Sequence, residues 1–369
     1  LIRKEYSELD VVTVARKRIK NIFATAQRIT FSVSGGKDSI CLNDLIFRMC
    51  QSGEIDKSKL IVAFIDEEAI YPCVEKIVLG MRTQWISIGV RFDWFCLQVK
   101  HFNCLNQLSS DESFICWDER KKDVWIRKRP AFAIINHPLL EIGKDNYQRF
   151  FDKWNKGRVN IIGVRASESV HRYQYLSRMK NQNKMYPIYD WKDTDVWQYI
   201  RDNNLDFPDA YKYMYQVGVG QNRMRISQFF SIDTIGHLVN MCEFYPELFD
   251  KICRREPNAY MAMLYYDTEL FRRQKKSKKA TPDEETDYKD KLFKLLKEDW
   301  RFQTKTMAKL KKGIEYALLK YSHYITQVEY KMLYEAAVAG DPKLRTLRAV
   351  TINLHSNVFK ENGGAKNWE

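Results

Sequence analysis

The stretch Phe31–Leu42, FSVSGGKDSICL, sets a loop of small residues and one lysine between two apolar segments. Before it, Ile29 to Val33 alternates and is rich in β-branched residues, which predicts a strand. After it, Ser39 to Cys50 places Ile40, Cys41, Leu45, Ile46 and Met49 on one helical face. The loop therefore joins a strand to a helix. Gly35 and Gly36 let the backbone turn sharply and approach a ligand, and the following helix aims its unsatisfied N–H groups back at the loop. Such a loop suits an anion, and phosphate first. Lys37 would add a point charge, and Ser34 and Ser39 can donate hydroxyl hydrogen bonds. Asp38 either orients the loop or holds a magnesium ion. An ordinary glycine turn is the bland reading. The spacing is not the G-x-x-x-x-G-K-[ST] phosphate loop, because only Ser34 separates Val33 from the paired glycines.

Outward from the loop the pattern repeats. Asp10 reads as the N-cap of a helix carrying Val11, Val14, Ala15, Ile19, Ile22 and Phe23. KLIVAFIDEE, 59–68, is a continuous apolar run ending in acids, as a buried parallel strand opening onto a crevice would be. Asp66 then falls at the rim, although an acid there can also cap a helix. VRFDWFCLQV suggests a further strand, and VNIIGVRASES, 159–169, runs a strand into Gly163 and a polar turn. Strands alternating with helices predict an α/β fold, a mostly parallel twisted sheet with helices on both faces. In such sheets ligands sit beyond the carboxyl ends of the strands, which brings residues 34–39, Asp66 and Gly163 to Arg165 together. The Arg165 guanidinium suits phosphate charge, with a surface ion pair to Glu168 as the alternative. Asp193 reads as the cap of a helix holding Val196, Trp197 and Ile200, and the chain from about Ser231 onward reads as helical.

Composition sets the outer bounds. The 369 residues, 45% of them hydrophobic, can bury a substantial core. No run of about 18 apolar residues and no signal pattern occur, so the reading is a soluble, cytoplasmic protein without membrane contact. The chain opens on Leu1 rather than Met, so upstream residues are expected. A formal charge of +14 favours acidic partners, nucleotide or nucleic acid. An α/β domain, 1–230, precedes a mainly helical region, 231–369, in which the basic run at 272–279 reads as a solvated linker or a nucleic-acid patch. None of the eight cysteines forms a C-x-x-C pair. Cys96, His101, Cys104 and Cys116 cluster loosely, as buried thiols or a metal site.

Three motifs carry a resemblance. SGGKDS at 34–39, GVRASES at 163–169 and YPIYDWKDTDVWQYI at 186–200 resemble the phosphoadenosine phosphosulfate reductase and ATP sulfurylase branch of the ATP pyrophosphatases, the PP-loop family. The likeness continues through MRISQFF, 224–230, and REPNAYMAM, 255–263, and is nearest the subgroup containing immunoglobulin-binding regulator A. It implies an adenine nucleotide alpha hydrolase-like fold, with ATP and Mg2+ as cofactors. It also implies cleavage between the α and β phosphates to AMP and pyrophosphate, with transfer to or activation of an unknown acceptor. Lys37 and Arg165 would act in catalysis, Asp38 would hold the metal, and Ser34, Gly35, Gly36, Ser39, Asp66, Gly163, Arg223 and Arg225 would complete the nucleotide site. Sulfonucleotide reductases lack this loop lysine and need a nucleophilic cysteine near the C-terminus; after Gly220 only Cys242 and Cys253 remain. GVGQNRMR at 218–225 sets arginines where paired cysteines would lie. True sulfonucleotide reduction is thus disfavoured, and the second reading is a nucleotide-dependent regulator or nucleic-acid-binding module. A protein partner and a homo-oligomer stay open.

Overall fold

The computed structural model describes residues 9–103, 105, 113–168, 172, 183–220, 224–226, 228–230, 235–265, 287–341 and 344–361. Arg223, Cys104 and the basic run at 272–279 lie outside them. The chain forms two compact units: Leu1–His101, Ile115–Phe229 and Asn240–Arg255 make the first, and Phe102–Phe114, Phe230–Val239 and Glu256–Glu369 the second. The division is discontinuous, where the sequence reading drew one boundary after residue 230.

The first unit is built on a five-stranded parallel sheet. Its strands are β1 (Ile29–Val33), β2 (Leu60–Ile65), β3 (Arg91–Phe95), β4 (Val159–Ile162) and β5 (Lys184–Met185), in the order β3-β2-β1-β4-β5. The inner strand β2 is a continuous apolar run, LIVAFI, because both faces of the sheet are covered. On one face Phe31 meets Trp85 of α3 (Pro72–Ser87) edge to face at 6.4 Å, and the Trp85 indole N–H donates to Asn43 Oδ1 of α2 (Lys37–Gln51) at 2.7 Å. Phe47 of α2 closes on the same indole at 5.2 Å. On the other face Phe95 packs against Phe150 and Trp154 of α4 (Tyr147–Trp154), at 5.4 and 5.1 Å. Helices therefore lie on both faces of the sheet.

Local chemistry sets the ends. Asp10 caps α1 (Val11–Thr25), accepting from the amides of Val12 and Thr13 at 3.0 and 2.9 Å, and Ala15, Ile19, Ile22 and Phe23 are its buried stripe. α2 begins at Lys37, two residues earlier than its apolar spacing indicates, so Lys37 and Asp38 are helical and not loop residues. Asp38 suits the first turn because its charge faces the positive end of the helix dipole. In the second unit, helices α7 (Tyr288–Leu296), α8 (Lys305–Lys320), α9 (Gln327–Ala339) and α10 (Arg345–Glu361) enclose a core of Leu292, Leu310, Ile314, Leu333 and Val350.

Trp85 is fully buried and ties α2, α3 and β1 together. Trp85→Ala is expected to cost about 3–5 kcal/mol of stability. Chemical denaturation followed by circular dichroism measures it, and a loss under about 1 kcal/mol would contradict this packing.

Candidate functional site

The chain leaves β1 through Ser34–Gly36 and enters α2 at once. Gly35 sits at φ +71°, and a Cβ added there would lie 2.9 Å from both Val74 Cγ1 and Val78 Cγ2. Glycine is needed twice, for the backbone angle and for the room. Gly36 occupies the N-cap position with no side-chain cap. The Lys37 amide donates to Tyr211 Oη at 3.1 Å, and the Ser34 amide donates to Ser39 Oγ at 3.0 Å, closing the loop. Tyr211 lies on α6 (Ala210–Gln216), where burial raises its phenol pKa. The amides of Asp38 and Ser39 find no acceptor among the described residues. Two amides at a helix start with the dipole behind them form a cradle for an anion.

The side chains around this cradle depart from the sequence reading. Lys37 is not an open loop residue; it is only 5% exposed. Its ammonium donates to Met224 O at 3.2 Å, lies 3.7 Å from Asp193 Oδ1 and sits 5.5 Å above the Tyr211 ring. Burial lowers its pKa, partly offset by Asp38. Arg165 is fully buried and paired neither with solvent nor with the Glu168 carboxylate. Its Nε donates to Asp38 Oδ1 at 2.6 Å, Nη2 to Asp193 Oδ1 at 2.8 Å and Nη1 to Ser167 Oγ at 3.0 Å. Two carboxylates thus clamp one guanidinium beside the loop.

Asp193 is the residue the sequence reading misplaced. It is the first residue of α5 (Asp193–Asp202); Lys192 holds the N-cap position, and Asp195 accepts the Lys192 amide at 2.8 Å. Asp193 is therefore spare for Arg165 and Lys37. The signal was the doubled acid in WKDTD, since one carboxylate satisfies the cap and leaves the other. Gly163 brings the end of β4 against the loop: a Cβ there would lie 3.2 Å from Asp38 O and from Ser39 N. Arg225 Nη2 donates to Glu168 O at 2.8 Å, and its charge reaches Lys37. Asp66 is not on an open rim. It is fully buried, accepts from Trp94 Nε1 at 3.0 Å and the Glu68 amide at 3.1 Å, and pairs with Arg127, so it braces the wall of the site.

Beside the loop lies a cleft of about 350 Å³. It is lined by Ser32, Ser34, Asn160 and Lys184, by Ala63, Ile65 and Glu67, and by Tyr147 and Phe151 of α4. The cleft sits at the carboxyl ends of β1, β2 and β4, where the sheet order reverses about β1. Ser32 Oγ donates to Asn160 Oδ1 at 2.8 Å. Glu67 stands 4.0 Å from His101 Nε2, and burial raises its pKa more than that imidazole lowers it. Apart from Ser34, none of these lining residues was singled out by the sequence, because their wall is assembled from distant segments.

The described cysteines are free thiols, and no group of three or more His, Cys, Asp or Glu among the described residues could hold a metal ion. Cys104 lies outside those residues. Burial pushes Cys50 up to about 12, Cys253 up to about 11, and Cys41, Cys96, Cys116 and Cys242 also upward. No helix among the described residues is long and apolar enough to cross a membrane.

Residues 145–236 match the family model of the phosphoadenosine phosphosulfate reductase domain. That segment contains Gly163, Arg165, Asp193 and Arg225, and the SGGKDS loop precedes it. The resemblance to the phosphoadenosine phosphosulfate reductase branch read from the motifs at 163–169 and 186–200 is thus matched over this segment, about a quarter of the chain. The Uncharacterized protein YbdN of Escherichia coli (strain K12) is 28% identical over 246 residues, 60% of this chain and 59% of YbdN. The chain therefore spans about three fifths of that relative's length. Among solved structures, the FMN adenylyltransferase of Candida glabrata, in complex with FMN and the ATP analogue AMPCPP, is 15% identical with a TM-score of 0.33, covering 55% of this chain and 58% of that one. The phosphoadenylyl-sulfate reductase of Candida auris, in a phosphate complex, is 15% identical with a TM-score of 0.34, covering 61% and 90%.

The loop geometry yields a paired test. Gly35→Ala meets both a left-handed backbone angle and two valine methyls, and should lose about 2–4 kcal/mol. Gly53→Ala, at φ +74° with nothing within 4 Å, should lose about 1 kcal/mol. Equal losses in denaturant titrations would show that the close approach to α3 is unimportant.

Proposed function

We propose that this protein binds ATP with its phosphates on the Ser34–Ser39 loop, cleaves the α–β bond to AMP and pyrophosphate, and adenylates or activates an acceptor. The observation that carries this reading is the pair of unpartnered amides at the start of α2, flanked by Lys37, Arg165 and Arg225 and opening beside the 350 Å³ cleft. Phosphate oxygens take the amides of Asp38 and Ser39. They also offer Lys37 a stronger partner than the Met224 carbonyl, because both groups are charged. Arg165, fixed by its two carboxylates, supplies positive charge near the α phosphate without reorganising. The cleft takes the nucleoside. No side chain acts as nucleophile, and catalysis is positioning and electrostatics.

Magnesium fits the donor set. Asp38 and Asp193 each bind Arg165 through one oxygen and keep a second for which no partner appears among the described residues. Two carboxylates together with substrate phosphates are a usual magnesium environment, and the ion would neutralise phosphate charge there. Sulfonucleotide reduction finds less support, since it requires a thiolate and burial opposes one at Cys242 and Cys253.

Lys37→Met keeps the buried aliphatic stem and removes the charge. ATP affinity by calorimetry should fall about tenfold or more, with the melting temperature near that of the wild type. Incubation of the unaltered protein with ATP and magnesium should yield AMP and pyrophosphate. ADP as the product, or affinity unchanged in Lys37→Met, would refute the assignment.

A further inference from the structure

Helix α8 buries one face and leaves the other in solvent. Leu310, Ile314 and Ala317 pack into the core of the second unit. The opposite face presents Lys305, Lys309, Lys312, Tyr316 and Lys320, all exposed and spaced by about one turn over about 22 Å, with exposed Leu319 beside Tyr316 and Glu315 at the edge. Lys305, Lys309 and Lys312 have no carboxylate partner among the described residues, whereas Lys311, off this face, pairs with Asp299 at 2.7 Å. Tyr316 is 54% exposed, and its hydroxyl accepts from Lys320 Nζ at 2.9 Å.

Helix stability does not account for this stripe. Lysines three and four residues apart repel each other, and Lys305 stands at the positive end of the helix dipole with no acid in the first turn. We infer that this face of α8 is a track for single-stranded nucleic acid, in which the lysines contact successive phosphates and Tyr316 stacks on a base. Lysine binds phosphate as a point charge and reads no base edge, so the track is indifferent to sequence. An aromatic ring within a basic groove or ridge is the usual means of holding unpaired bases. An anionic membrane is a poorer fit. An interfacial helix must insert its apolar face, and that of α8 is committed to the protein core.

The test uses the full chain and a fluorescent oligouridylate of about 20 nucleotides, with anisotropy titrations at about 50 to 200 mM salt. The triple variant Lys305→Gln, Lys309→Gln, Lys312→Gln should bind at least about tenfold more weakly and reduce the log–log salt slope by about 2. Tyr316→Ala should weaken binding about fivefold and leave the slope unchanged. The single variant Lys309→Gln, which perturbs the fold least, should reduce the slope by about 0.7. Lys289→Gln, Lys294→Gln, Lys297→Gln removes the same charge from α7 and its C-cap and serves as the control. The inference is overturned by an equal loss in that control, by no binding of the wild type, by duplex binding as tightly as single strand, or by competition from anionic vesicles at equal charge.

Discussion

A guanidinium without access to water organises the site. Arg165 is fully buried, and a buried charge is tolerable only when opposite charges and hydrogen bonds surround it. Asp38 and Asp193 provide them, at 2.6 and 2.8 Å. The three residues come from the start of α2, the segment after β4 and the start of α5. Their mutual need joins elements far apart in sequence. Removing one carboxylate from such a triad typically costs about 3–5 kcal/mol, because the remaining charge is left unpaired in a low-dielectric interior. The loop is therefore fixed from two sides, by the clamp at Asp38 and by Tyr211 at the Lys37 amide.

Backbone proximity does the rest. Gly35 admits Val74 and Val78, and Gly163 lets the end of β4 come closer to Asp38 and Ser39 than a Cβ would readily allow. A side chain at Gly35 would force Val74, Val78 or the loop to shift, and one at Gly163 would press on the Asp38–Ser39 backbone by a few tenths of an ångström. Asp66 serves the same end from below. Its partners Trp94 and Arg127 hold the β2 end, from which Glu67 turns to the cleft.

Much of this was legible in the residues. β1 falls on Ile29–Val33 as its alternation indicates, and Asp10 caps α1. Periodicity reads α1 because its burial follows the helical repeat, whereas β1, buried on both faces, is read from its β-branched content. It reads partnership poorly. Lys37 and Asp38 look like loop residues because polar side chains carry no periodic signal, yet they form the first helical turn. Asp193 looked like a cap because a single acid before a helix usually is one; Asp195 took that role. Asp66 was placed at the rim because the strand end pointed there, while the arginine and tryptophan that cover it come from residues with no local mark. The cleft wall from α4 depends on how the chain returns across the sheet, which spacing along the sequence does not encode.

The charges at the loop balance, and that balance has a consequence for anion binding. Lys37 and Arg165 carry two positive charges, and Asp38 and Asp193 carry two negative ones within hydrogen-bond or ion-pair distance. A loop with unpaired cations would repel itself and splay its lysine and arginine into solvent, losing side-chain order that a ligand must then restore. Here the order is imposed during folding. In the proposed binding mode the Lys37 ammonium turns from the Met224 carbonyl to the anion, and what is left unbalanced adds to it: the amides of Asp38 and Ser39, the helix dipole behind them and the charge of Arg225. These are fixed dipoles and a side chain tied to Glu168, so they need little rearrangement as charge develops beside them. Preorganised dipoles of this kind stabilise a changing charge more effectively than mobile ones, which is the property a phosphoryl-handling site requires.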